Sequence, residues 1–339
     1  MTEKQDFHIP VGIGAGDGLG ATADLLTTLI FPALGIEELS EDGTRIAVDF
    51  DEQVVTTDMY TVDPLEFSGG DIGRLAVCGA VNDLAASGAR ARFLTVGLLI
   101  SASLGRDVLF RVLTSFGQEA EASGCTVLCG DTKVHTGHEP QLVIAVSAVG
   151  QPFTPSLLSL KDTRPGDVIG VTGPFGNHSI AVLSARFGLG FDKVVTSDVC
   201  ALADPIEAVV SVVPLHGARD LTRGGLIGAL WDGARATGLH WEIEDDTLDL
   251  DLPVSAAAQL LALDPLALTN EGNMLFTCPR ESADRALEIL RGFSQTARSR
   301  LIGYASTADR LGPLVSKRTP EGRQILLDYP EALGIPRLC

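Results

Sequence analysis

The chain has 339 residues, 45% of them apolar and 20% charged, with a formal net charge of −19. That is apolar material enough for two cores of ordinary size, and the acidic surplus, with no basic run to offset it, excludes a nucleic-acid backbone as a natural partner. The longest apolar stretches, around Phe93 to Ile100 and Leu142 to Val149, stop well short of the roughly 18 residues that a membrane-spanning helix needs.

The opening MTEKQDFHIP carries acidic residues and a proline where a signal peptide would be basic and then apolar. The expected address is therefore the cytoplasm, with no membrane partner. GIGAGDGLGA follows, in which Gly16, Gly18 and Ala21 fit the loose pattern GxGxxA. Only HIPVGI precedes it, so no βαβ unit can be completed around it. Its N–H groups suit a flap over nucleotide phosphates; a solvated tail is the alternative.

From Arg45 to Gly150, short β-rich runs (IAVDF, QVVTTD, FLTVGLLI, TVLCGD, LVIAVSAVG) alternate with stretches of helical period, IGRLAVCGAVNDLAASG and RDVLFRVLTSFGQEAEASG. In the second helix Val108, Leu109, Val112, Leu113 and Phe116 fall on one stripe. The stretch QPFTPSLLSLKDTRPGD then separates this unit from a second. The second unit opens with DVIGVTG and carries helical patterns at 177–187 and 222–237, the strand-like MLFTCP and a helix from Ser282 to about Phe293. The expected fold class is α/β (α+β), two domains of mixed sheets packed by helices, at 1–155 and 156–310. Beyond residue 311 the pattern weakens into a proline-punctuated tail, expected to be mobile, that ends in Cys339.

The six cysteines form no CxxC pair, and a chain of this length needs no disulfides. Five read as small core residues, with Cys125 and Cys129 placed on one buried strand face by their even spacing. Cys339 is different, because a thiol at the last position of such a tail has no packing role; its value is reactivity, unless its position is an accident.

Asp58 ends QVVTTD and Asp131 ends TVLCGD, where α/β folds place ligands at strand ends. Asp83 sits beside Asn82 in a helical segment, and Asp220 opens the turn DLTRGG. Four carboxylates without His or Cys neighbours suit hard oxygen ligation of magnesium bridging to phosphates, although each taken singly also reads as an N-cap or turn residue. Lys133, one of only five lysines, closes GDTK, and Glu271 lies in the turn TNEGN. A lysine held there can neutralise phosphate or handle a proton; a solvated surface role fits either residue equally well.

Taken together, TTDMYTVDPLEFSGGDIGRLAVCGAVNDLAASGAR, GDTKV, RDLTRGG, TNEG and the ending PRLC resemble the hydrogenase maturation factor HypE family. That family is a branch of the aminoimidazole ribonucleotide synthetase-like (PurM-like) ATP enzymes. The resemblance runs from about residue 50 to the C-terminus, broken mainly at 150–175 and 295–330; SGGDIGRLAVCGAVNDLA and PRLC are its most specific parts. It implies that a carbamoyltransferase of the HypF kind loads a carbamoyl group on Cys339. ATP-dependent dehydration then gives a thiocyanate, and the cyano group passes to an iron assembly scaffold of the HypC–HypD kind for a nickel-iron hydrogenase. By motif, Lys133 and Glu271 become the proton-handling pair, and Asp58, Asp83, Asp131 and Asp220 hold magnesium and ATP. Asn82, Thr132 and Arg223 assist, with Gly16 and Gly18 in the flap. The resemblance also implies a homodimer formed through the N-domain sheets.

Three positions depart from the family pattern. AGDGLG replaces HGxGG, with Ala15 where a histidine is usual; Leu221 replaces a proline; and Asn177 replaces an aspartate. Two other readings stand beside the first. A selenophosphate synthetase or thiamine monophosphate kinase of the same superfamily has no need of the terminal cysteine, and a non-catalytic scaffold would keep the fold and tail without turnover.

Overall fold

The computed structural model describes residues 24–36, 44–308 and 314–329. Gly16, Gly18 and Cys339 lie outside them. A first sheet runs in the order β1 (Val54–Tyr60), β6 (Leu142–Pro152), β4 (Ala89–Ser101), β5 (Thr126–His135). Its β1–β6 and β6–β4 pairs are antiparallel, and β4–β5 is parallel. A two-stranded ribbon of β2 (Glu66–Phe67) and β3 (Gly70–Asp71) stands apart.

Period-two alternation gives this sheet two unlike faces. Leu94, Val96, Leu98 and Ile100 of β4, with Ile144, Val146 and Ala148 of β6, are buried. They lie on the side covered by helices α2 (Ile72–Ala86) and α3 (Arg106–Ala122), which follow the short α1 (Phe31–Leu34). Helix α2 starts where Asp71 caps it, accepting hydrogen bonds from the N–H groups of Gly73 at 2.7 Å and Arg74 at 3.0 Å. It is buried nearly all round, as a helix held between a sheet and a second domain should be. Helix α3 buries Leu109, Val112, Leu113 and Phe116, the stripe expected from its spacing. No element among the described residues covers the opposite sheet face: Val55 and Met59 of β1 remain 62% and 63% exposed.

The second sheet has the order β13 (Gln324–Leu326), β12 (Val315–Arg318), β9 (His240–Glu244), β11 (Arg300–Ser306), β7 (Val168–Val171), β10 (Met274–Cys278), β8 (Gly217–Asp220). The helices of this half are α4 (Asn177–Phe187), α5 (Ala203–Val210), α6 (Gly225–Thr237), α7 (Leu252–Leu260) and α8 (Ala283–Leu290). The two halves share one continuous apolar core that joins α2 residues such as Leu75 and Leu84 to Ile206, Met274 and Phe276. No helix among the described residues is long and apolar enough to cross a membrane.

Four expectations change. IAVDF is not a strand: with no strand to pair with among the described residues, Ile46 and Val48 stay 36% and 38% exposed, and β-propensity alone holds nothing. The tail begins later than residue 311, because Val315–Arg318 pairs in parallel with β9 and antiparallel with β13. Cys125 and Cys129 do not share a buried face. A register shift between Leu94 and Thr95 pairs Val127 with Leu94 and Cys129 with Thr95, and this bulge turns Cys129 to the uncovered side. Finally, Asp58 and Asp131 lie inside their strands rather than at the ends.

Candidate functional site at the domain seam

Thr56, Asp58 and Tyr60 alternate along β1 and so face the same way, toward α2. The Thr56 hydroxyl donates to the Asp83 carboxylate at 2.8 Å. One turn back on α2, Gly79 lies under the Tyr60 ring, so close that a methyl group there would meet Tyr60 Oη at 2.0 Å. Asp58 sits between these two contacts, its Oδ1 accepting from the Met59 N–H at 2.8 Å.

The second domain brings two more carboxyls to this row. Asp220 is the last residue of β8, held by the Thr222 hydroxyl at 2.8 Å. Glu271 lies in a turn whose neighbours are committed to fixing its main chain. Asn270 Oδ1 accepts from the Gly176 N–H at 2.7 Å. Asn273 accepts from the Thr172 and Gly173 N–H groups and donates to the carbonyls of Gly173 and Pro174. Asn82 donates to the Glu271 carbonyl at 3.2 Å and the Cys200 carbonyl at 2.9 Å, and accepts from the Leu202 N–H at 2.8 Å. Asn82 was expected to assist the nucleotide. It is buried and ties α2 to the second domain.

Like charges crowd this seam, and their carboxyls respond. Asp83 is pushed up to about 6, first by burial and then by Asp220 and Asp58. Glu271 is raised well above the usual carboxylate range by burial, then by Asp198, Asp220, Asp58 and Asp83. The Tyr60 phenol rises for the same reasons, burial leading, then Asp58, Glu271 and Asp83. Its Oη is enclosed and packs against Gly79.

One consequence concerns stability. An aspartate whose folded-state pKa lies above its unfolded value favours folding while protonated, and that contribution is lost as pH rises from about 4 to about 6. The Asp83→Asn variant does not titrate. In metal- and nucleotide-free protein its stability relative to wild type should therefore grow by about 1 kcal/mol between pH 5 and pH 8. Urea unfolding at both pH values measures this, and a difference that does not change with pH contradicts it.

The remaining expected site residues lie elsewhere in the single chain. Asp131 and Lys133 are both exposed on the uncovered face of β5, joined by a 2.9 Å ion pair; the lysine holds the Asp131 carboxyl below its usual value. Thr132 points inward between them and is buried. In register, Asp58 opposes Val146, Val146 opposes Val96, and Val96 opposes Gly130. Three strand spacings, about 14 Å, and the thickness of the sheet thus separate Asp58 from Asp131. Arg223 is exposed in the turn before α6.

The four aspartates accordingly do not form one magnesium cage. Among the described residues no group of three or more His, Cys, Asp or Glu side chains is placed to hold a metal. Asp58, Asp83 and Asp220 still fit magnesium as nucleotide sites hold it, through one or two carboxylates with phosphate oxygens completing the shell. Their mutual repulsion, which Arg219 only partly offsets at Asp83, is the kind a cation relieves. Beside them opens a cleft of about 400 Å³ lined by Thr56, Asp83, Ser87, Lys161, Arg219 and Asp220, within the roughly 300–1,000 Å³ of small-molecule sites.

Two of the departures from the family pattern find partners here. Asn177 donates to Asp251 at 3.0 Å, where an aspartate would face a like charge. Leu221 is fully buried in the second core.

A family model described as AIR synthase related protein, N-terminal domain, matches residues 40–151, and one for the corresponding C-terminal domain matches residues 164–315. The carbamoyl dehydratase HypE of Azotobacter vinelandii is 35% identical over 329 residues, covering 96% of each chain. Among solved structures, a hydrogenase maturation protein HypE in complex with ATP superposes with a TM-score of 0.90 at 34% identity, covering 96% of this chain and 98% of that one. The structure of a HypE–HypF complex matches at a TM-score of 0.79 and 31% identity, over 93% of this chain and 100% of that one.

Proposed function

The chain belongs to the HypE family, built of the two AIR synthase related domains, and from that premise we propose that it is an ATP-dependent carbamoyl dehydratase acting on its own C-terminal Cys339. The observation that carries the reading is the meeting of Asp58, Asp83, Asp220 and Glu271 at the domain seam, beside a cleft of nucleotide size. A scaffold without turnover has no use for a buried glutamate held against three other acids.

In the proposed reaction the amide oxygen of S-carbamoyl-Cys339 attacks the γ-phosphate of ATP and ADP leaves. The two N–H protons are then removed, the C–O bond breaks with phosphate as the leaving group, and the thiocyanate remains on sulfur. Magnesium, when bound, offsets the phosphate charge. One or two of the carboxylates of Asp58, Asp83 and Asp220 would hold it. Glu271 takes a proton from nitrogen, and Lys133 stabilises the departing phosphate or passes a proton on. Water is excluded by the enclosure of Glu271, 5% exposed.

The terminal segment has the reach for this. Its described root is fixed on α6, where Trp231 Nε1 donates to the Leu327 carbonyl at 2.9 Å and the Arg235 guanidinium lies 4.2 Å from the Tyr329 ring centre. Asp232 and Ala236 of the same helix line the cleft. Ten residues follow Tyr329 and span at most about 36 Å.

Lys133 and Glu271 cannot meet within one chain, since one lies on the uncovered face of β5 and the other on the covered side of β1. A homodimer resolves this. Two uncovered faces, with Val55, Met59 and Leu99 exposed on each, bury their apolar side chains when they wrap against one another. The β5 edge of one protomer then lies by the β1 edge of its partner. Each site would take Glu271 from one chain and Asp131 and Lys133 from the other. A HypF-like carbamoyltransferase as loading partner is supported by the relative's complex, and a HypC–HypD-like scaffold follows as acceptor.

Glu271→Gln and Lys133→Ala should each be carbamoylated normally and bind ATP, yet turn over at least 100-fold more slowly. Single-turnover phosphate release reads this. Wild-type rates in both variants remove the pair from the mechanism.

A further inference from the structure

Asp198 lies in the irregular stretch before α5 and belongs to no motif singled out in the sequence. Its two carboxylate oxygens receive the main-chain N–H groups of Glu271 and Gly272, at 3.3 and 3.1 Å. The N–H of His178 in the first turn of α4 also donates to it. That helix has no side-chain cap of its own, so Asp198 serves as its cap from a distance and receives the favourable field of its N-terminus.

The contact leaves no slack. A methyl group on Gly272 would sit 1.8 Å from the Asp198 carbonyl oxygen and 2.7 Å from Cys200 Sγ. From the other side, Asn82 holds the carbonyls of Cys200 and Glu271. The Glu271 main chain is thus gripped at its N–H by Asp198 and at its C=O by Asn82, while its carboxyl faces Asp58, Asp83 and Asp220. Asp198 is itself a carboxylate beside Glu271, and burial outweighs its backbone donors in lifting it to about 6. A carboxylate kept in such surroundings has a task that a neutral cap would not fulfil as well.

We propose that Asp198 is a positioning residue of the dehydration step, fixing the Glu271–Gly272 backbone so that the Glu271 carboxyl is aimed at the reacting amide. This rests on the function proposed above. The consequence is a rate effect expressed through Glu271, because the Asp198 carboxylate accepts from the N–H groups of Glu271, Gly272 and His178, none of which lines the cleft. A displaced base loses about 10–100-fold in rate, whereas nucleotide affinity is set at the cleft.

The test uses the full-length protein, carbamoylated by its transferase, with ATP and magnesium. Asp198→Asn keeps the volume but removes the charge and turns one acceptor into a donor facing an N–H. It should lower the single-turnover rate about 10–100-fold, with ATP affinity and loading within about twofold of wild type. In a Glu271→Gln background the same substitution should have no further effect. Penalties that multiply in the double variant, or a loss confined to ATP affinity, overturn the proposal, as does an unchanged rate in Asp198→Asn. If that variant does not fold, as judged by its thermal transition, Asp198→Glu enters the same cycle; it keeps the charge and displaces the acceptors by one methylene. An inactive wild type would instead refute the dehydratase reading, so the two failures are distinct.

Discussion

Replacing Cys339 by alanine abolishes carbamoyl loading, and with it all ATP-dependent dehydration, while ATP binding stays within about twofold of wild type. The expectation follows from the separation of parts. The nucleotide cleft is lined by residues from Val55 to Ala236, whereas the thiol stands ten residues beyond the last described anchor at Tyr329. None of the five cysteines among the described residues can substitute. Cys78, Cys125 and Cys278 are buried, and burial pushes the thiols of Cys125 and Cys200 up to about 11 and about 12, far from the thiolate that attack requires. Cys129 lies on the sheet face assigned above to the dimer. Peptide mapping after incubation with the transferase decides the point: a carbamoyl group on any other cysteine, or on the Cys339→Ala protein, removes the carrier assignment.

Mixing two inactive variants should restore activity. If each site draws Glu271 from one protomer and Lys133 from its partner, a dimer of one Lys133→Ala chain and one Glu271→Ala chain has one complete site and one empty of both groups. Statistical re-pairing makes half the dimers mixed, so the mixture should recover about a quarter of wild-type turnover from two preparations each at least 100-fold depressed. Were both groups drawn from the same chain, every site in the mixture would lack one of them and nothing would return. Refolding the two variants together and measuring phosphate release separates the cases. The outcome also tests the proposed sheet-to-sheet dimer, which would bring the β5 edge of one chain to the β1 edge of the other.

The sequence made some of this legible for clear reasons. Helix α3 could be read from Leu109, Val112, Leu113 and Phe116, because an amphipathic stripe is a local property. Asp83 and Asp220, each of which taken singly reads as a cap or turn residue, entered the expected site through the family motif. The relation of Asp58 to Asp131 could not be read. Each interrupts an apolar run, and only the pairing register shows that one faces the helices and the other the uncovered side. Asn82 entered the expected site through the family motif alone, and its hydrogen bonds to main-chain groups more than a hundred residues away could not be read from the sequence. Tyr60 and Asp198 gave no signal. A tyrosine in a β-rich run reads as core, and an aspartate in TSDVC reads as a turn; their close approaches to Gly79 and Gly272 are visible only in the fold. The strands at Val315–Arg318 and Gln324–Leu326 were missed because each is held by its neighbours rather than by its own pattern.

The central claim, that this protein dehydrates a carbamoyl group carried on its own last residue, is tested most directly by intact mass. Protein carbamoylated by its transferase and then given ATP and magnesium should lose the mass of one water from the peptide ending in Cys339, with one phosphate released for each group converted. ATP hydrolysis with the carbamoyl mass unchanged would contradict the account.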